Sequence, residues 1–171
     1  DSPDRGEITR DCSVSWPIGL KGGFQPRMTG RQNVRFVARV HGIKGSDLDD
    51  IIRYVEEFAA IGDAFDKPVR NYSTGMRARV NFGLSLAFEF DVYLSDEATA
   101  VGDRIFKQKA KRAFRDRIGK ASLIMVSHQE GILKELCQAG VVLNRGHALW
   151  FDSVDDALDI YTEISLKSGE K

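Results

Sequence analysis

Two stretches of the 171-residue chain carry side chains suited to phosphate chemistry. Ser73-Thr74-Gly75 opens a predicted helix, and the free backbone N–H groups at a helix N-terminus suit a phosphate. Asp96 and Glu97 follow a predicted buried strand over residues 92–95. Adjacent carboxylates at the C-terminal end of a strand suit Mg²⁺ and an activated water. Together the two stretches indicate a nucleotide hydrolase.

Each stretch also has an ordinary explanation when it is taken alone. A Ser-x-Gly before a helix is commonly a simple N-terminal cap, and an Asp-Glu pair after a strand is commonly a solvated loop. Arg77 and Arg79 in the following helix would favour a docked triphosphate, but exposed arginines are also common there. The order and spacing of the two stretches favour the functional interpretation.

The overall composition restricts the possible classes of protein. Hydrophobic residues make up 42% and charged residues 29% of the chain, which are ordinary values for one globular domain. Lys+Arg and Asp+Glu are 25 each, so no bulk charge favours nucleic acid or an anionic membrane surface. Cys12 and Cys137 have no metal-ligand spacing. No apolar run approaches the ~18–20 residues of a membrane span, so a membrane role would come through a partner.

Alternating strand and helix patterns predict an α/β fold. We expect a short strand near Ile8, another over residues 14–16, and a helix that begins with the capping box Thr29-x-x-Gln32. Ser46-x-x-Asp49 predicts a second helix cap. Further helices and strands are predicted at residues 73–87, 92–95, 104–118, 121–126, 132–136, 141–143 and 148–151, with a last helix capped by Ser153.

The motifs between these elements, taken together, resemble the ATP-binding subunits of ABC transporters. The matching segments are the signature loop YSTGM (Tyr72–Met76), the Walker B strand VYLSDE, and the D-loop (Ala100–Asp103). Gln25 matches the Q-loop, and Ser127-His128 after a strand matches the H-loop. Within that family, SWPIGLKGGFQPRMTGRQNVRF and DEATAVGD look most like the ATPases of capsular polysaccharide export. Exporters of O-antigen or teichoic acid are the nearby alternatives.

The resemblance implies an architecture. It implies a P-loop NTPase-like ABC ATPase domain over residues 1–166, a helical subdomain at about residues 27–88 inserted in the α/β core, and a polar tail at 167–171. No Walker A sequence G-x-x-x-x-G-K-[ST] occurs in the chain. The family has this loop before the point that Asp1 matches, so the resemblance implies an N-terminal truncation that lacks the P-loop and its strands. We therefore expect this chain alone not to hydrolyse ATP.

The resemblance also implies a role for each matching residue in the complete subunit. Asp96 and Gln25 would hold Mg²⁺, Glu97 would polarise the attacking water, and His128 would stabilise the γ-phosphate of ATP. Ser73 and Gly75 would contact ATP held by a second subunit. Asp103 would lie across the interface of that homodimer.

The implied partners are a second copy of the subunit and a transmembrane permease, with the ATPase peripheral at the cytoplasmic face of the inner membrane and no nucleic acid. Two other functions fit the residues less completely. A Mg²⁺ phosphohydrolase without transport would use Asp96 and Glu97 but would leave Ser73 and Gln25 without roles. A nucleotide-independent interaction module would fit the missing P-loop but would leave Glu97 and His128 unused.

Overall fold

The computed structural model describes residues 3–18, 23–96 and 103–169. The chain divides into two compact units, Asp1–Ile124 and Met125–Lys171. The strands, in chain order, are β1 Val14–Pro17, β2 Val92–Asp96, β3 Ser122–Val126, β4 Gly140–Asn144 and β5 His147–Phe151. The α-helices are α1 Gly30–Val40, α2 Ser46–Ala59, α3 Thr74–Ala87, α4 Arg104–Ile118, α5 Glu130–Leu136 and α6 Val154–Gly169.

The sheet that leads to the predicted carboxylates has the order β1-β2-β3. β1 and β2 are parallel, with Val14 opposite Val92 and a register shift before Pro17. Next to this shift the buried Ser15 hydroxyl accepts a hydrogen bond from the Leu94 N–H at 2.9 Å. The carboxyl ends of parallel neighbours meet at one edge of a sheet, so Asp96 and the segment after β1 start from the same edge.

The main apolar core lies among the helices between β1 and β2. Two short 3-10 helices, Gly62–Asp66 and Val69–Asn71, close this helical cluster. Its buried side chains are Val34, Ala38, Leu48, Ile52, Val55, Ala59, Phe65, Val69, Tyr72, Val80, Leu84 and Phe88. Seven consecutive residues of α3, Val80–Leu86, are buried, so this helix lies inside the unit rather than on its surface.

A cluster of aromatic rings joins the C-terminal end of α2 to α3 and α4. Phe58 stacks with Phe82 at 6.0 Å between ring centroids and meets the edge of Phe106 at 5.6 Å. Lys109 on α4 lies 4.9 Å from the Phe58 ring centroid. Its ammonium also donates to the carbonyl oxygens of Glu57 and Phe58 at 3.1 and 3.0 Å. These carbonyls end α2, where a cation stabilises the negative end of the helix dipole.

Each unit contains one of the two tryptophans in the chain. Trp16 on β1 is partly buried, and its indole N–H donates to the Ser85 hydroxyl on α3 at 3.0 Å. Its ring lies 5.0 Å from His41 and 5.4 Å from Phe88, measured between centroids. Trp150 on β5 is 65% exposed. The two indoles therefore lie in different surroundings.

The second unit is built on the β4–β5 hairpin. A two-residue turn, Arg145-Gly146, joins the strands, and both residues have positive φ, 47° and 83°. Two positive φ values are typical of a type I′ hairpin turn, whose twist matches that of the strands. α6 packs against the hairpin, and an ion pair of 2.6 Å between Lys134 and Asp155 joins α5 to α6.

The structure confirms most of the predicted elements and corrects two local predictions. No strand forms at residues 7–9, and Ile8 is 64% exposed. The cap of α2 is Gly45, at a positive φ of 62°, and the Ser46 hydroxyl does not cap the helix. In the described ranges we find no helix with the length and apolarity needed to cross a membrane.

Candidate functional site

The signature loop forms a capped helix N-terminus, as its sequence predicts. Ser73 is the N-cap of α3, and its hydroxyl oxygen accepts a hydrogen bond from the Met76 N–H at 3.1 Å. The hydroxyl keeps its own proton for an outside acceptor such as a phosphate oxygen. Amides in the first turn of a helix have no partner within the helix. The exposed Ser73 therefore brings a hydroxyl donor and a positive helix end to one place.

An open cavity of about 400 Å³ lies beside this helix end. It is named the Ser73 cavity here, and its lining residues are Ala60, Ile61, Ser73, Gly75, Met76, Arg79 and Asp103. The structure thus brings together three of the predicted nucleotide-binding residues, Ser73, Gly75 and Asp103. Ala60 has a positive φ of 48° at the end of α2, which lets the chain turn at the wall of the cavity.

Arg79 and Asp103 form an ion pair at the Ser73 cavity. The Arg79 guanidinium also lies 4.9 Å from the centroid of the Phe106 ring, and its side chain is 23% exposed. Of the two arginines in the first turns of α3, Arg79 is therefore held by its own chain, whereas Arg77 is exposed. Asp103 therefore offsets the charge of Arg79 at the cavity, and the N-terminal end of α3 adds a positive helix dipole there.

Asp103 is the N-cap of α4 as well as the partner of Arg79. Its Oδ1 accepts a hydrogen bond from the Phe106 N–H at 2.9 Å. This backbone hydrogen bond, together with the charge of Arg79, holds the pKa of the Asp103 carboxyl below its ordinary value. Asp103 is consequently an anion at neutral pH, and its two oxygens have different partners.

The predicted carboxylate pair is described only in part. Asp96 is the last residue of β2 and is exposed, whereas the strand residue before it, Ser95, is buried. Glu97 and the D-loop residues 100–102 lie outside the described residues. An exposed carboxylate at a strand end fits Mg²⁺, which is commonly bound by one or two carboxylates with phosphate and water oxygens. Among residues 3–18, 23–96 and 103–169, no group of three or more His, Cys, Asp or Glu gathers as a metal site.

Gln25 is exposed, and its backbone is fixed by a buried asparagine, Asn33, that is not among the predicted site residues. The Gln25 N–H donates to Asn33 Oδ1 at 2.7 Å, and Asn33 Nδ2 donates to the Gln25 carbonyl at 3.2 Å. Asn33 is only 1% exposed. A polar residue on the otherwise apolar side of α1 was the available signal, because buried amides require hydrogen-bond partners.

His128 lies in the second unit, two residues after β3, and is exposed. The preceding Ser127 hydroxyl accepts a hydrogen bond from the Gln129 N–H at 3.1 Å, which forms a tight turn after the strand. The predicted strand-Ser-His order is therefore present in the folded chain.

The comparison with curated proteins covers nearly the whole chain. The polysialic acid transport ATP-binding protein KpsT of Escherichia coli is 46% identical over 162 residues, which are 94% of this chain and 72% of KpsT. The capsule polysaccharide export ATP-binding protein CtrD of Neisseria meningitidis is 40% identical over 164 residues, 96% of this chain and 74% of CtrD. The chain belongs to the ABC-type ATP-binding proteins of capsule polysaccharide export.

This capsule-export ATP-binding chain also has more distant relatives in sequence and a similar solved structure. Teichoic acids export ATP-binding proteins named TagH are 30% to 32% identical. A solved ATP-binding subunit of an ABC transporter superposes with a TM-score of 0.69 at 14% identity, over 88% of this chain and 62% of that chain. This structure supports the fold alone. No family model matches the chain. The resemblance found in the sequence and the α/β fold class are both confirmed.

Proposed function

We propose that the chain is the greater part of the ATPase subunit of an exporter that moves capsular polysaccharide across the inner membrane. The single observation that carries this proposal is the identity of 40% to 48% with KpsT, CtrD and BexA over 94% to 96% of the chain. The greater distance of the TagH proteins favours capsular polysaccharide over teichoic acid as the cargo.

The Ser73 cavity supports the proposal that ATP is shared between two subunits. Its donors are a helix N-terminus and the Ser73 hydroxyl, which suit the terminal phosphate of a nucleotide. We assign Ser73 and Gly75 to ATP held by the P-loop of a second intact subunit, in a head-to-tail homodimer with Asp103 at the interface, because the resemblance implies that a signature turn and the P-loop of its own subunit belong to opposite sites.

The chemistry assigned to this chain is in-line attack of water on the γ-phosphate. Mg²⁺, when bound, neutralises charge on the phosphates. Asp96 and the Gln25 side chain hold that ion, and Glu97 orients and polarises the attacking water. His128 donates a hydrogen bond to the γ-phosphate. These residues follow β1, β2 and β3, the strand ends at which open α/β sheets place ligands.

A transmembrane permease is the remaining partner of such a subunit, which would be peripheral at the cytoplasmic face of the inner membrane. In the helical cluster, α1 and α2 lie between the Q-loop residue Gln25 and the signature loop, and α3 begins within that loop. We assign to this cluster, as the helical subdomain of about residues 27–88, the transmission of ATP-driven closure to the permease.

The test of the catalytic assignment is Glu97→Gln in the intact subunit. We expect turnover to be lost, while ATP binding and ATP-dependent dimerisation, followed by calorimetry and by gel filtration, are retained. Glu130→Gln, at an exposed position on α5, is the matched control and should keep full turnover. Normal turnover in the Glu97→Gln variant would refute the assignment.

The test of the cargo uses the native host. Deletion of the gene should remove polysaccharide from the cell surface while the polymer accumulates inside, and the wild-type gene should restore export. Calorimetry on the 171-residue chain and on an N-terminally extended chain separates an ATPase from a nucleotide-independent interaction module. ATP binding by neither form would favour the interaction module.

A further inference from the structure

The structure holds Gln25 by its backbone while leaving its side chain exposed. The Asn33 side-chain amide accepts from the Gln25 N–H and donates to the Gln25 carbonyl. The same Nδ2 also donates to the carbonyls of Met28 and Thr29, at 3.3 and 2.8 Å. One buried side chain thus hydrogen-bonds the backbone of three residues in the turn before α1: Gln25, Met28 and Thr29.

The turn that Asn33 holds is also hydrogen-bonded to the segment that leads into the signature loop. The Arg70 N–H donates to the Pro26 carbonyl, and the Val69 N–H donates to the Met28 carbonyl, both at 2.9 Å. The Gly30 N–H donates to the Tyr72 hydroxyl at 3.1 Å. Tyr72 directly precedes Ser73. Hydrogen bonds therefore join the turn that follows Gln25 to residues 69–72, directly before the N-cap of α3.

On the N-terminal side of Gln25, Ile18 is hydrogen-bonded to the sheet. The Ile18 N–H donates to the Leu94 carbonyl of β2 at 2.9 Å, and Ile18 is 2% exposed. Hydrogen bonds thus tie Ile18 to β2 and Gln25 to Asn33 of α1. The residues directly after Gln25, not Gln25 itself, bond to residues 69–72. The Gln25 side chain starts from the helical cluster, although it follows a strand of the sheet.

We propose that Asn33 is a positioning residue for ATP hydrolysis, which holds Gln25 in fixed register with the segment that leads into Ser73. The inference rests on the proposed function, because Gln25 must act on the Mg²⁺ or on the attacking water. Asn33 itself does not touch the nucleotide. It sets the point from which the Gln25 side chain reaches, and small displacements of such a group reduce catalysis strongly.

The first experiment tests the hydrogen bonds between the Asn33 side chain and the Gln25 backbone, named the Asn33 clamp, by a readout that does not depend on ATPase activity. Amide hydrogen exchange at Gln25 is compared in the intact subunit with wild-type Asn33, in Asn33→Leu and in the milder Asn33→Ser. We expect exchange at Gln25 to accelerate about tenfold or more when the Asn33 acceptor is lost. Val34→Ala is the control, since it removes core packing at the neighbouring buried position of the same helix. Equal acceleration in Val34→Ala and in the Asn33 variants would overturn the clamp.

The second experiment separates positioning from stability by kinetics. Asn33→Leu and Asn33→Ser should lower kcat by roughly tenfold to a hundredfold with little change in the KM for ATP. Val34→Ala should lower the melting temperature and keep kcat. In a Gln25→Ala background, Asn33→Leu should cause no further loss of kcat. The same loss in both backgrounds would overturn the inference.

The outcome for Gln25→Ala alone distinguishes failure of the Asn33 positioning role from failure of the proposed function. A fall in kcat in Gln25→Ala, together with unchanged kcat in both Asn33 variants, would overturn the positioning role and leave the proposed function standing. Full kcat in Gln25→Ala would overturn the role of Gln25 in hydrolysis, and with it the kinetic part of this inference. In that case the exchange rate at Gln25 still decides whether the clamp exists.

Discussion

Arg79 on the helix after the signature loop forms an ion pair with Asp103, the N-cap of α4 and a residue 24 positions further along the chain. The pair connects the two predicted nucleotide-contacting segments within one chain. The Arg79 guanidinium also lies over the Phe106 ring, which makes a cation–π contact with it. Asp103 is therefore oriented by contacts within its own chain.

We predict that Arg79→Met in the intact subunit lowers ATP turnover by about tenfold, because Asp103 loses the partner that orients it at the proposed dimer interface. Arg77→Met, at the neighbouring exposed arginine, is the control and should have a smaller effect. Asp103→Asn keeps the cap of α4 and removes the ion pair, so it should add little to Arg79→Met. Steady-state ATPase rates of the single and double variants measure this coupling, and additive losses would contradict it.

We predict that Gly30→Ala destabilises the first unit by about 1–3 kcal/mol. A Cβ at residue 30 would overlap the Tyr72 hydroxyl and approach the Phe65 carbonyl oxygen to 3.1 Å. Tyr72→Phe removes the overlapped oxygen and should restore part of the stability in the Gly30→Ala background. Urea denaturation of the single and double variants measures both effects. Gly131→Ala, where the Cβ meets nothing within 4 Å, should not destabilise; absence of any recovery by Tyr72→Phe would refute the explanation.

The pH dependence of stability should show the contact between Arg31 and Asp66. Arg31 donates two hydrogen bonds to the Asp66 carboxylate, at 2.7 and 3.0 Å, and these hold the pKa of Asp66 below its ordinary value. A depressed carboxyl pKa contributes stability above the unfolded-state value of about 3.9, and the contribution is lost as the pH falls through the lower folded-state value.

We therefore predict that Arg31→Met lowers the melting temperature by a constant amount between pH 7 and pH 5, and by less below about pH 4. Arg31→Met also removes the ion pair with Glu56 at 2.6 Å. The loss at neutral pH should correspond to about 1 kcal/mol for the two pairs, because the Glu56 and Asp66 side chains are 38% and 56% exposed. Arg53→Met, which breaks a pair exposed by 65% and 64%, is the control and should change little. A deficit that grows on acidification would show that the sign is wrong.

Lys109→Met should destabilise the junction of α2 and α4. The ammonium donates to two terminal carbonyls of α2 and lies over Phe58, and loss of such a cap costs about 1 kcal/mol. Lys107→Met, at an exposed position on the same helix, should cost less. Thermal unfolding followed by circular dichroism measures the difference, which should shrink at high salt only in part, because the hydrogen bonds persist. Equal melting temperatures would rule out the cap.

The sequence predicted features that depend on neighbouring residues in the chain. Thr29 and Gln32 form the expected capping box, and Ser73 caps α3, because both contacts close within one helical turn. The strand before Asp96 was recognisable from its apolar run. The predicted cap at Ser46 was wrong because Gly45, at positive φ, already occupies that position.

Contacts between distant segments were not predictable from a single sequence. From the sequence alone, Arg79 could be a phosphate ligand or an exposed arginine. The structure shows that it pairs with Asp103. Asn33 looks like an ordinary polar residue of α1 until the Gln25 backbone is found folded onto it. The pattern of α1 shows which side is buried, but it does not show which backbone that side will meet.

The distribution of the two tryptophans makes the protein its own optical probe. Trp16, enclosed by His41 and Phe88, should fluoresce at shorter wavelength than Trp150, whose ring is largely in water. Of the two tryptophans in these 171 residues, a Trp150→Phe variant would leave only Trp16, on the strand that precedes Gln25. Titrating nucleotide against that one signal would then record, without any attached dye, how the entrance to the Q-loop responds to ATP.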